Sequence, residues 1–302
     1  MRRSSFVLCL ALFAGCRCNA PDEKELPSAP ASATTAATSV AAVPRPTPSA
    51  DPTAPVECGP DIGELDVLGS APVVILGELH GLRAAPIFAA DLACRLALQD
   101  TTKTVTLALE LPTDEQPRID AFMKSNGGYG ARHDLLAGPF WTGSQDGRSS
   151  VARVDMLELA RGYAQRGVPL RVATFDVDGG VPAKRDEEMA KRVVALAEEK
   201  KGPVVVLVGN LHARTQPSGN QKWMGEFIRD KIPNVVSFDN RYGSGTAWVC
   251  IPGCGEHPMT GHDDDAATKW HFERFSTVDD KGFAGAWHIG PAKASPPIVP
   301  KK

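Results

Sequence analysis

Tyrosine occurs only three times in this 302-residue chain, aromatics make up 6 % of it, and neither sign of charge is in surplus. Its 33 basic side chains face 36 acidic ones, for a formal net charge of -3. Without a basic excess the chain lacks the electrostatic footprint of a nucleic-acid binder. After the first few residues no apolar run approaches the roughly 20 residues that a membrane-spanning helix requires. Residues 17–57 have hardly an aliphatic and consist mostly of Pro, Ala, Ser and Thr. Such a segment cannot bury enough surface to offset its ordering entropy, so it reads as a disordered, semi-extended tether.

Residues 1–16 differ in kind. Arg2 and Arg3 precede a short apolar core that closes on Ala14-Gly15-Cys16, the form of a secretory signal peptide. Small residues directly before a cysteine resemble a bacterial lipobox, with Cys16 as the lipidated residue and plain secretion as the alternative. Lipid on Cys16 would anchor the protein in the cell envelope, in the periplasm or outer membrane, without a spanning helix. The folded part is expected over 58–290 as one domain, with 291–302 as a disordered tail; a homodimer is compatible with this reading. Export permits disulfides. Cys250 and Cys254 flank the turn sequence Ile251-Pro252-Gly253, and Cys58 with Cys94 forms a second candidate pair. Zinc at Cys250 and Cys254 is the competing reading.

Two stretches of the domain nearly repeat each other. Val73-Val74-Ile75-Leu76 runs into Gly77-Glu78-Leu79-His80, and Val204-Val205-Val206-Leu207-Val208 runs into Gly209-Asn210-Leu211-His212. Unbroken β-branched runs suit strands buried on both faces of a parallel sheet, and the glycine lets the chain turn as it leaves. Each histidine should then sit just past a strand's C-terminal end, the edge where open α/β sheets bind ligands. Further strands are expected at Thr104–Leu109, Leu170–Phe175 and Val235–Phe238. Helices alternate with them over Arg83–Leu98, from Thr113 onward through a capping box, from Val151, over Lys184–Lys200 and over Lys222–Asp230. His133 and Trp141 fall in a turn-rich stretch that could form a lid. The expected fold is α/β: a mainly parallel central sheet flanked by helices, with antiparallel edge strands at Thr246–Ile251 and Ala284–Ile289.

The chemistry-bearing candidates converge on that edge. Glu110 ends an otherwise apolar strand, where a carboxylate is costly unless it is paired, hydrogen-bonded or on a metal. Glu78, His80, Glu110 and His212 could together bind a divalent metal with an open position. They could equally work without one, a histidine acting as general base while the carboxylates fix its tautomer and charge. Asp176 follows a strand and is placed to orient Arg185.

Taken in order, Gly77-Glu78-x-His80, Leu109-Glu110, Arg185-Asp186-x-x-Met189-Ala190 and Gly209-x-x-His212 resemble the superfamily that joins ChaN-type haem-binding lipoproteins, Tiki metalloproteases and erythromycin esterases, and the ChaN-type branch most. The resemblance implies an α/β domain with a pocket lined by Glu78, His80, Glu110, Arg185 and His212. For the Tiki-like branch it implies a metal-dependent peptidase, for the esterase-like branch a histidine acting as base on water. For the ChaN-type branch it implies haem or iron uptake. Haem would need an axial ligand, and Tyr129 and Tyr242, both in glycine-rich loops, are the tyrosines available, since Tyr163 falls inside a helix. Two functions follow as expectations: a haem- or iron-binding envelope lipoprotein, and a hydrolase of an ester or peptide bond.

Overall fold

The structure is a computed structural model and describes residues 55–177, 184–217, 221–262 and 269–299. The signal peptide with Cys16, and the tether up to residue 54, lie outside the described residues.

The strands are β1 Ile62–Gly63, β2 Val73–Glu78, β3 Val105–Pro112, β4 Leu170–Asp176, β5 Val204–Gly209, β6 Val236–Gly243, β7 Gly245–Cys250, β8 Cys254–Met259, β9 Trp270–Arg274 and β10 Gly285–Pro291. The helices are α1 Ala84–Gln99, α2 Gln116–Lys124, α3 Tyr129–Leu136, α4 Pro139–Gly143, α5 Val151–Gln165, α6 Arg185–Glu198 and α7 Met224–Arg229. Eight strands form one sheet in the order β1-β9-β10-β6-β2-β5-β3-β4, and β7 pairs with β8 as a separate antiparallel hairpin. From β6 to β4 every neighbouring pair is parallel. No helix among the described residues is long and apolar enough to cross a membrane.

The two repeated strands lie side by side. β2 pairs with β5 in parallel, Val73 opposite Val204 and Glu78 opposite Gly209. Their aliphatic runs are unbroken because the sheet has a core on each face. Val74, Leu76, Val205 and Leu207 join the core with α1 and α5, while Val73, Ile75, Val206 and Val208 join the core with α6 and α7. Burying each such side chain contributes about 1.5–3 kcal/mol.

Both cysteine pairs form disulfides, Cys58–Cys94 and Cys250–Cys254, so the latter sulfurs hold each other and not zinc. Several expectations are refined. β10 lies inside the sheet, parallel to β6 and antiparallel to β9. The capping box does not form: Thr113–Glu115 is a 3-10 turn without a side-chain cap, and Glu115 instead accepts the Phe140 amide. Trp141 is fully buried core, whereas His133 is exposed on α3. The stretch from 291, expected as a disordered tail, is described to residue 299 and crosses the strand ends. Ala294 bridges Leu82 and Pro297 bridges Ser150. The Ser295 amide donates to the Gly81 carbonyl, and Ser295 Oγ accepts from the Ala152 amide.

Candidate active site

Strand alternation decides where the two glutamates point. Glu78 shares the parity of Val74 and Leu76, and so it leaves β2 toward α5, where Arg153 donates Nη2 to its Oε1 at 2.5 Å. Glu110 shares the parity of Ala108, whose side chain joins the core with α6. It meets α6 there: Arg185 Nη2 donates to Glu110 Oε1 at 2.6 Å, and the Gly209 amide donates to Oε2 at 2.8 Å. Both carboxylates are 2 % exposed.

His80 stands between them. Its Nδ1 is 3.0 Å from Glu78 Oε1 and its Nε2 3.4 Å from Glu110 Oε2. Burial alone would lower the imidazole's pKa, but the charges of Glu110 and Glu78 outweigh it and raise it to about 9. His80 is therefore an imidazolium at neutral pH. Burial pushes the acids up in turn, and cations overcome it. Arg153 and His80 hold Glu78 below its ordinary value, and His80 and Arg148 hold Glu110 well below. A Cβ on Gly209 would lie 3.0 Å from His80 Nε2, so a side chain there would press on the imidazole and shift it by a few tenths of an ångström.

His212 is held differently. Its Nδ1 lies 2.7 Å from Asp186 Oδ1 and its Nε2 2.9 Å from Arg185 Nη1. A guanidinium can only donate, so Nε2 must carry the lone pair and Nδ1 the proton, directed at Asp186. Asp186 is fixed by accepting the Met224 amide at 2.8 Å. One histidine is charged between two acids; the other is neutral, oriented by one acid, with its lone pair facing out of the dyad.

Asp176 orients Arg185 as the sequence suggests, its oxygens accepting Nε and Nη2 at 2.8 Å each. Two further participants have no place among the expected residues. Arg148 donates Nη1 to Asp176 at 2.7 Å and to Glu110 at 3.4 Å, and its Nε and Nη2 to Asp146. Arg148 and Arg185 thus alternate with Glu110 and Asp176 in a ring of charges. Arg148 comes from a turn-rich loop that gives no sequence signal. Arg153 gave one: it lies on the inward stripe with Leu157 and Ala160, where an arginine requires a buried acid.

The donor set does not suit a divalent metal. Among the described residues no group of three or more His, Cys, Asp or Glu side chains could hold a metal ion. Glu78, His80 and Glu110 do meet, but Glu78 Oε1 and both Glu110 oxygens already accept from Arg153, Arg185, Arg148, His80 and the Gly209 amide, His212 Nε2 faces Arg185, and among the oxygens of these two acids only Glu78 Oε2 has no hydrogen-bond partner among the described residues. A dication would sit among guanidinium groups. Neither tyrosine joins the cluster by any contact found among the described residues. Tyr129 is 88 % exposed on α3 and stacks on His133, while Tyr242 is buried at the end of β6 against the His262 ring.

No family model matches this chain, and no curated protein matches it by sequence. Solved structures do match. An erythromycin esterase EreC variant in its open conformation superposes with a TM-score of 0.57 at 11 % identity, over 78 % of this chain and 95 % of that one. The chain shares the esterase's fold. A Bacillus cereus protein matches at a TM-score of 0.50 and 13 % identity, over 78 % and 92 % of the two chains. A protein described as a succinoglycan biosynthesis protein matches at 0.50 and 12 %, over 78 % and 91 %. At such identities the likeness is one of fold.

Proposed function

We propose that this protein is a metal-independent hydrolase of carboxylic esters, with His80 as the acid and His212 as the base. The carrying observation is the opposite environment of the two histidines, since groups whose surroundings drive their protonation apart divide into acid and base. Water attacks the ester carbonyl carbon and loses a proton to His212 Nε2, and Asp186 stabilises the imidazolium that forms. His80 gives its proton to the departing alkoxide, acid and alcohol leave, and His212 releases its proton to solvent as His80 takes one up. Arg185 covers Nε2 in the resting arrangement and must turn from it, its guanidinium then being free to face the carbonyl oxygen.

The test is hydrolysis of p-nitrophenyl acetate by wild type, His80→Gln and His212→Asn, with and without a chelator. His80→Gln should lower kcat about 100-fold or more while the circular dichroism spectrum remains that of the folded protein. Wild-type activity should fall above about pH 9 as His80 loses its proton. Undiminished turnover in His80→Gln removes it from the mechanism, and activity lost to chelator and restored by zinc overturns metal independence. Haemin should give no saturable Soret shift; one that disappears on Tyr242→Phe would instead favour haem binding. The same proposal places the enzyme at the cell envelope through lipid on Cys16, which labelling with a fatty-acid analogue checks against Cys16→Ser.

A further inference from the structure

A cavity of about 370 Å³ adjoins the charged cluster, lined by Pro112, Pro139, Phe140, Ser144, Gln145, Asp146 and Arg148. It connects directly to the chemistry, because the Arg148 that walls it also donates to Glu110 and Asp176. A second cavity, of about 480 Å³ against α2 and α3, has no member of the cluster in its lining.

The first cavity is a built pocket. Gly147, at φ 89°, lies so near the next turn that a Cβ on it would be 2.5 Å from the Gly81 amide nitrogen, which seats the loop on the segment after His80. Trp248 of the hairpin pins the same loop, donating Nε1 to the Gln145 carbonyl at 2.9 Å and its amide to Gly81. The Gln145 amide is tied to the Ser144 carbonyl and to Val299 of the terminal strap. A rigid pocket loses little entropy on binding.

Its lining has two characters. Pro112, Pro139 and Phe140 make an apolar side, and Ser144, Gln145, Asp146 and Arg148 a hydrogen-bonding side. The charges on the polar side cancel, since Asp146 Oδ2 accepts both Nε and Nη2 of Arg148. An acidic ligand would have to displace Asp146 and a basic one Arg148. What suits such a lining is an uncharged ring with one apolar face and hydroxyls along its edge.

Resting on the ester-hydrolase reading, we propose that this cavity binds the non-reacting part of the substrate and that this part is a neutral hydroxylated ring, a sugar or sugar-like alcohol. Phe140 supplies the face on which the ring lies, and Gln145 and Asp146 receive its hydroxyls. The ester oxygen is thereby presented to His80 across Arg148.

The test separates binding from turnover. His80→Gln protein is titrated calorimetrically with 6-O-acetylglucose, alone and combined with Phe140→Leu or Gln145→Ala. Saturable binding that weakens about tenfold or more in either combination supports the pocket, and that result stands even if wild type hydrolyses no ester. In the active protein, the same two changes should lower kcat/KM for 6-O-acetylglucose about tenfold while changing that for p-nitrophenyl acetate less than about threefold. Gln145→Ala removes two hydrogen bonds at a half-buried position and no core packing, so it decides the matter should Phe140→Leu fail to fold. Absence of saturable binding, or equal losses on both esters, overturns the proposal; turnover of p-nitrophenyl acetate in that case leaves the hydrolase reading standing.

Discussion

Replacing Arg153 by Met strips the buried Glu78 of its guanidinium while keeping the volume and helix propensity of the position. Arg153 is 1 % exposed and Glu78 2 %, so neither charge can be rescued by bulk water. Removing one partner of a buried pair costs about 3–5 kcal/mol, most of it the penalty on the charge left behind. For a domain of this size each kcal/mol moves Tm by about 2–4 °C, so the melt should drop by about 6–20 °C. The loss should be largely the carboxylate's. Among the described residues Arg153 Nε and Nη1 have no hydrogen-bond partner, so methionine also removes two costly donors. Arg153→Met combined with Glu78→Gln should therefore recover at least half of the loss. Arg153 holds Glu78 below its ordinary pKa against burial, so its contribution is present at neutral pH and disappears as Glu78 is protonated in acid. Wild type and variant should converge on acidification. Urea unfolding followed by circular dichroism, under non-reducing conditions at several pH values, measures all of this. A single-variant cost below about 1 kcal/mol, or a double variant no more stable than the single, would refute the buried-charge account.

Three further outcomes follow from the same geometry. His80 rises from 6.5 to about 9 on folding. Its contribution is then complete below pH 6.5 and lost as pH climbs toward 9; the ceiling is about 3 kcal/mol, reduced because the ring is 22 % exposed. Urea midpoints that stay flat across that window while His80→Gln also stays flat would contradict it. Gly209→Ala should cut esterase activity at least about tenfold, since the methyl meets His80 Nε2, and a crystal structure with His80 unmoved and activity intact would dismiss the contact. Deleting residues 292–302 removes the strap that pairs with Leu82 and Ser150, and it should raise amide exchange in both segments. Unchanged exchange there would show the strap to be dispensable.

Much of this site was legible because it is local. A β-branched run ending in glycine and a polar residue fixes a strand, its end and the side chain delivered there, and so Glu78, His80, Glu110 and His212 could be placed on one edge from sequence. The turn sequence between Cys250 and Cys254 likewise pointed to one disulfide, with zinc as the competing reading, and Cys58 with Cys94 stood as a candidate for the other. The residues that escaped notice reach the site through long-range contacts. Arg148 lies in an irregular loop whose position depends on Gly81 and Trp248. Residues 291–299 carry little hydrophobic pattern of their own and are held by backbone bonds to segments far away in the chain.

Local propensity and burial pattern therefore determined the strands, their parity and the carboxylates and histidines at their ends. What the residues do together was decided by packing. The sequence writes the two Gly-x-x-His segments as near copies, but one enters the gap between two glutamates and becomes a cation, and the other docks on Asp186 and keeps a lone pair that accepts from Arg185. Charge state depends on neighbours within a few ångströms in space, and those neighbours come from α5, α6 and the 144–148 loop, which no local pattern brings together.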